Sequence, residues 1–216
     1  MLPHPTTRDL PVEKPHTTLL FIDVQNYCAR RDGTEFKDLP PDAFQQKLGW
    51  FFDKLEAETI PNMQRLQAAC RHAGIEVMYT VIRNLTQDGR DRSLDYKITG
   101  FSVPPDSWDG QVLDAIAPAP DEIVISKTSS NVFVSTNIDY VLRNLGTKYL
   151  VISGIVTDQC IATATTTACD LGYLVTLVTD ACATYTQERH DASLRAISGY
   201  CRQRTTEAFL REIGAA

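Results

Sequence analysis

Three residues of this chain could do covalent chemistry together if the fold brought them to one place: Asp23, Lys127 and Cys160. Asp23 follows the apolar run "TTLLFI", Lys127 closes "EIVISK", and Cys160 stands six residues beyond "KYLVISG". A thiol next to a carboxylate and an ammonium is a nucleophile supplied with a base and a steadying charge, the set needed to attack a carbonyl carbon. Singly, each has a plainer reading. An aspartate at a strand end is commonly a turn former, a lysine there a solvated edge charge, and a free cysteine a small buried hydrophobe. The triple carries more weight than its members.

The surroundings of Cys160 argue against mere filling. In "SGIVTDQCIATA" (153–164) and the residues after it, Ile161, Ala164, Ala168 and Leu171 mark the core face of a helix, and Cys160 belongs to its first turn. With Thr157 as N-cap, Cys160 takes the third helical position, where unpaired amides and the positive dipole end favour a thiolate. A lowered thiol pKa is therefore expected, and the same amides could hold an oxyanion. The histidines suit the role of base less well. His4 and His16 lie in an N-terminal arm, His72 ends a helix, His190 reads as a helix-surface residue, and none follows a strand. A carboxylate base paired with an ammonium is the better partner for the thiol.

The elements that must position these residues follow from periodicity. From Thr17 onward, apolar runs of strand length (17–24, 75–82, 122–127, 148–154 and 173–180) alternate with segments of helical period. This predicts an α/β fold with parallel strands and crossover helices. The helices are expected at 60–74, opened by Pro61 and ended by Gly74; at 136–146, capped by Thr136 and stopped by Gly146; at 158–171, before Gly172; and across the C-terminus in "SLRAISGYCRQ" and "TEAFLREI". The polar stretch 89–110, broken by glycine and proline, reads as a surface excursion that could line a site. Ligands of an open parallel sheet bind beyond the carboxyl ends of its strands, where the strand order reverses. The three chemical residues sit at such ends.

A chain of 216 residues with 43% hydrophobic content is expected to form one domain over 1–216, with 1–16 as an arm. With 27 acidic against 21 basic residues and no basic block, neither nucleic acid nor an anionic membrane is an expected partner. No apolar run nears the roughly 18 residues of a membrane span, and the opening residues lack a signal-peptide pattern, so the expected location is cytoplasmic. The cysteines 28, 70, 160, 169, 182 and 201 show no C-x-x-C pair and read as reduced thiols.

The segments "LLFIDVQN" (19–26), "SKTSSNVFVSTNIDYVLRNLG" (126–146) and "VISGIVTDQCIATATTTACDLGYLVTLVTDAC" (151–182) resemble the isochorismatase-like cysteine hydrolases. The resemblance implies a three-layer α-β-α fold with a doubly wound, mostly parallel sheet of about six strands, and a homo-dimer or homo-tetramer. It implies Asp23, Lys127 and Cys160 as a triad, a cis peptide between Ile155 and Val156, and an oxyanion hole from the backbone amides of Val156 and Cys160. The implied reaction is amide-type hydrolysis through a thioester. True isochorismatases cleave a vinyl ether without this cysteine, so Cys160 points to C–N cleavage. Nicotinamidases of the family carry an Asp/His metal cluster, but residues 79–97 here contain no histidine, so neither metal nor other cofactor is expected.

Within the family, "DVQNYCARRDG", "RNLTQDGRDRSLDYK" and "GYCRQRTTEAFL" look most like the enzymes that cleave small ureides of the biuret, triuret or ureidoacrylate type. Carbamoyl-amino-acid amidases and nicotinamidase-like amidases are the alternatives, and a non-catalytic binding protein that kept the fold is the alternative of another class. A planar ureide needs amides and a fork-shaped cation around it, which makes Gln25, Asn26, Arg83, Asn84 and Gln203 candidate contacts, with Tyr27 and Phe133 as an apolar wall. The plainer readings are turn residues for Gln25 and Asn26, an ion pair with Asp88 or Asp91 for Arg83, solvation for Gln203, and core for the two aromatics. Thr165, Thr166 and Thr167 stand where relatives often carry a charged pair.

Overall fold

The computed structural model describes residues 7–215; His4 and the first part of the arm lie outside the described residues. Six strands form one sheet: β1 (Thr17–Ile22), β2 (Glu76–Ile82), β3 (Ile123–Lys127), β4 (Tyr149–Ile155), β5 (Leu174–Ala183) and β6 (Arg202–Arg204). Their order is β3-β2-β1-β4-β5-β6 and every neighbouring pair is parallel. The chain winds outward from β1 to β3 and then returns to the other side of β1 as β4, so the strand order reverses between β1 and β4.

After β1 come α1 (Asn26–Ala29) and α2 (Pro41–Lys54), and a π-helical stretch at Leu55–Thr59 carries α2 straight into α3 (Ile60–His72). The helix expected to open at Pro61 is thus the second half of a run beginning at Pro41; Pro61 sits in the first turn of α3, where its missing N–H costs little. The remaining helices are α4 (Leu94–Thr99), α5 (Val132–Ser135), α6 (Ile138–Asn144), α7 (Ala162–Asp170), α8 (Gln187–Ile197) and α9 (Thr206–Glu212). Among the described residues no helix is long and apolar enough to cross a membrane.

Alternation along the strands separates two core layers, as a pleated strand requires. Leu19 and Phe21 join the layer that packs against α2, α3 and α9, whereas Leu20 and Ile22 join the layer under α5 to α8. The sheet is buried on both faces, which is why its central strands read as continuous apolar runs. Two expectations need correction. The sixth strand falls inside the stretch read as a helical C-terminus, because three polar residues at an edge carry no period. Its Arg202 is nonetheless buried, donating to Thr176 and Glu212. The stretch 89–110 is more than a surface excursion, since it contains α4 and buries Tyr96 and Val103.

The close approach of β4 to β1 depends on one glycine. Gly154 has φ +138°, and a Cβ there would fall 2.2 Å from the carbonyl oxygen of Ile22. Gly154→Ala is therefore expected to cost about 3 kcal/mol, a Tm decrease of roughly 6–12 °C in thermal unfolding. An unchanged Tm would show that β4 can retreat freely from β1.

Candidate active site

At the reversal point, Asp23 continues past β1 with φ +59°, a left-handed conformation that turns its side chain off the strand line. Its amide is tied to Thr80 O at 3.0 Å, and its Oδ1 accepts from Thr80 Oγ1 at 3.3 Å. Lys127 ends β3, with β2 between it and β1, a gap of roughly 9–10 Å at the ordinary strand spacing. Only a long side chain covers that gap. Its Nζ lies 2.9 Å from Asp23 Oδ2 and donates to Tyr96 Oη at 2.8 Å, Ser129 O at 3.0 Å and Cys160 Sγ at 3.4 Å. Ser130 Oγ stands 3.6 Å from the same sulfur. Asp23, Lys127 and Cys160, far apart in sequence, thus form one buried cluster.

Burial and charge set the protonation of this cluster. Burial pushes the Asp23 carboxyl above the usual aspartate range, against the opposing pull of the Lys127 charge. Burial by itself would lower the Lys127 amine, but Asp23, Cys160 and Tyr96 hold it well above its ordinary value. The Cys160 thiol is pushed up to about 11 by burial, with Lys127 pulling the other way. This reverses the expectation of a lowered thiol pKa: the resting sulfur keeps its proton, and the carboxylate beside it is the group able to take it.

Thr157 does not cap the helix that follows. The chain enters through a π-helical turn, Thr157–Ile161, whose N-cap residue is Val156, with no side-chain cap. Thr157 Oγ1 instead pairs with His190 Nδ1 at 2.9 Å. His190 is buried on α8, not on a helix surface, and burial lowers its pKa. The neutral imidazole is the form the fold favours, so its contribution to stability is full above the unfolded value of about 6.5 and is lost as pH falls through the lower folded value. The Tm gap between the wild type and His190→Asn should be widest near about pH 7.5 and shrink towards about pH 5. A gap that grows on acidification would contradict this.

Cys160 is reached from two sides. A tight cavity of about 20 Å³, enough for little more than one water, is lined by Asp23, Glu35, Phe101, Val156, Gln159 and Tyr185 among others. A second cavity of about 360 Å³ is lined by Asp95, Tyr96, Ser130, Asp158, Gln159 and Thr163 among others. Phe101 and Gln159 border both. The Ile155–Val156 bond is cis, and Val156 faces the smaller cavity with Cys160. Among the described residues no group of three or more His, Cys, Asp or Glu side chains is placed to hold a metal ion.

The candidate substrate contacts fare differently, for neither cavity is lined by any of the seven. Gln25 is fully buried and its amide is used up: Nε2 donates to Ile82 O and Asp109 O, and Oε1 accepts from Ile82 N. Asn26 donates to Trp108 O, Asn84 to Ser102 Oγ, and Gln203, on the edge strand, to Leu194 O. Arg83 donates to Ser126 Oγ, and not to Asp88 or Asp91. Tyr27 is core, packed edge-on behind Phe101 at 6.1 Å, and Phe133 leans on Tyr173 at 6.2 Å. The bonds given by the five polar residues tie loops and strand ends together, with Gln25 the one whose amide is fully used. Of the three threonines, Thr165 is buried with no partner for its hydroxyl, Thr166 bonds back to its own helix, and Thr167 accepts from Asn131.

Other residues reach the cluster without having been singled out. Tyr96 came from a stretch read as polar surface. Ser130 lies within the quoted segment 126–146, but nothing local separates it from Ser129. Glu35 stands in the charged stretch "RRDGTEFKD", where no periodicity points inward.

Comparison with known proteins bears on this arrangement. Residues 17–208 match the sequence profile of the isochorismatase domain. The chain is 36% identical over 107 residues to the N-carbamoylsarcosine amidase of an Arthrobacter species, a match covering 47% of this chain and 40% of that relative. It is 28% identical over 182 residues to the ureidoacrylate amidohydrolase RutB of Rhizobium rhizogenes, covering 76% of this chain and 69% of that one. The crystal structure of a cysteine hydrolase from Pseudomonas syringae pv. phaseolicola superposes with TM-score 0.80 at 21% identity, covering 95% of this chain and 96% of its own. That likeness shows the six-stranded parallel α/β fold. With the profile spanning nearly the whole chain, this protein belongs to the isochorismatase family.

Proposed function

We propose that the protein is a cysteine amidohydrolase that cleaves a C–N bond, other than a peptide bond, in a small ureido or amide compound. The observation that carries this reading is the buried Lys127 ammonium, 2.9 Å from the Asp23 carboxylate and 3.4 Å from the Cys160 sulfur. The amidase and amidohydrolase names of the relatives support the same bond type.

In this mechanism Asp23 takes the proton of the Cys160 thiol as the sulfur attacks the substrate carbonyl. The negative charge moves from carboxylate to sulfur and then to oxygen. Because Lys127 touches both of the first two groups, it faces the charge before and after the transfer. The amides of Val156 and Cys160 receive the oxyanion. Asp23 then gives its proton to the departing nitrogen, the C–N bond breaks, and a thioester remains on Cys160. Water, deprotonated by Asp23, cleaves the thioester and restores the thiol.

An ammonia-release screen over biuret, triuret, ureidoacrylate, N-carbamoyl amino acids and nicotinamide tests the reading. Intact-protein mass spectrometry under rapid quench then looks for an acyl adduct. Release of ammonia with an adduct on the Cys160 peptide is the expected result. Turnover of none of these compounds would leave a binding role for the fold.

A further inference from the structure

We infer that Glu35 determines specificity, by binding the N–H-bearing neutral end of the substrate opposite the scissile carbonyl and excluding substrates whose far end is a carboxylate. This inference deepens the proposed function and rests on it for the identity of the reaction.

Glu35 lines the small cavity together with Cys160 and Asp23. Because that cavity is too small for a whole ureide but shares Phe101, Gln159 and Cys160 with the larger one, Glu35 is placed to meet one end of a substrate held across both. Three contacts hold it there. Its neighbour Thr34 donates to Asp109 Oδ2 at 2.6 Å. On the other side Phe36 is wedged edge-on between Phe44 and Phe52, at 6.0 and 5.5 Å. Gly33 lets the loop lie directly on α1, since a Cβ there would meet the Tyr27 carbonyl oxygen at 2.2 Å. Between these anchors, Glu35 Oε1 accepts one bond, from Tyr185 Oη at 3.4 Å. No described group donates to its Oε2, so the carboxyl keeps acceptor capacity for a ligand.

The charges around the sulfur give the selectivity its sign. The small cavity is lined by Asp23 and Glu35 and by no lysine or arginine. The second cavity adds Asp95 and Asp158, again with no cation in its lining. The nearby cations are already engaged: Lys127 with Asp23, and Arg189 with Asp158. Asp23 and Asp158 are balanced by these pairs, but Glu35 and Asp95 are not, so a carboxylate-ended substrate would add a negative charge beside theirs with no cation in either lining to match it.

The protonation of Glu35 sets where this selectivity holds. Burial pushes its carboxyl up to about 8. Ionised, it accepts N–H bonds and repels a carboxylate. Protonated, its O–H and C=O pair with the C=O and N–H of a carbamoyl group, but the O–H can also donate to a carboxylate, so the exclusion is strongest above about pH 8.

The test needs no turnover. Wild-type protein is alkylated with iodoacetamide above about pH 8, where Glu35 is ionised, with biuret or N-carbamoylglycine as competitor, and modification of the Cys160 peptide is followed by mass spectrometry. Biuret should protect at a concentration about ten- to a hundred-fold lower than its carboxylate analogue, the size of one charge-assisted contact. Above about pH 8, where Glu35 is ionised, Glu35→Gln removes the charge while keeping the shape and the Tyr185 contact, and should narrow that ratio at least about ten-fold. Equal protection by the two compounds, preference for N-carbamoylglycine, no protection by biuret, or a ratio unmoved in Glu35→Gln would each overturn the inference. Protection that follows the expected order without any ammonia release would count against the hydrolase reading alone.

Discussion

Cys160→Ala should retain less than about one part in 10⁴ of wild-type kcat/KM on any amide or ureide the enzyme turns over, with the fold intact. The loss is large because the sulfur forms the covalent bond, and neither Asp23 nor Lys127 can replace it. The fold should survive because little else depends on the thiol. Lys127 retains Asp23, Tyr96 and Ser129 when the sulfur is gone, so no buried charge is left unpaired. Removing one buried atom costs on the order of 1 kcal/mol, and the Tm should fall by no more than about 4 °C. Turnover that persisted in Cys160→Ala would redirect the mechanism to an ester or vinyl-ether hydrolysis in which Asp23 acts on water or substrate directly. A lost Tm together with lost activity would make the cysteine a packing residue, and Cys160→Ser, nearly isosteric, would then separate the two roles.

Much of the frame was readable because its physics is local. Parallel strands buried on both faces appear as unbroken apolar runs, and the rule that sites lie beyond strand ends picks out Asp23, Lys127 and Cys160. What failed depends on distant partners. Gln25 and Asn84 are polar and near the site in sequence, but whether an amide serves a ligand or a loop depends on which carbonyls come within reach after folding. Thr157 looks like an N-cap until His190, 33 residues on, offers it a better partner. The thiol of Cys160 illustrates the same limit in energy: position at a helix start favours the thiolate, but burial, which the local sequence does not express, outweighs it. Glu35 is the extreme case. The stretch around it carries the exposed charges Arg31, Asp32, Lys37 and Asp38, and it faces the site only because the buried Gly33 and Phe36 pin the loop on either side.

Asp23→Asn should lower kcat/KM by about 10³- to 10⁴-fold, near the full value of a positioned general base. An asparagine keeps the shape and can still accept from Thr80, but it cannot take the thiol proton. With the thiol pushed up to about 11, few sulfurs ionise without that base, each unit costing 1.36 kcal/mol. A second consequence falls on Lys127, which is fully buried and loses its counter-charge. Leaving one member of such a pair alone costs about 3–5 kcal/mol if the ammonium stays charged. The pH profile separates chemistry from damage. In the wild type, kcat/KM should rise with pH through an apparent pKa above the usual aspartate range, because burial raises the carboxyl that must be ionised to act as base. In Asp23→Asn the remaining activity should lack that acid limb and climb only towards alkaline pH, as the thiol ionises by itself. Asp23→Glu restores the charge beside Lys127 but lengthens the side chain by one methylene, so it should recover most of the Tm and little of the rate. If Asp23→Asn kept the acid limb, the base would have to be another group, and Glu35, across the same cavity, would be the one to replace next.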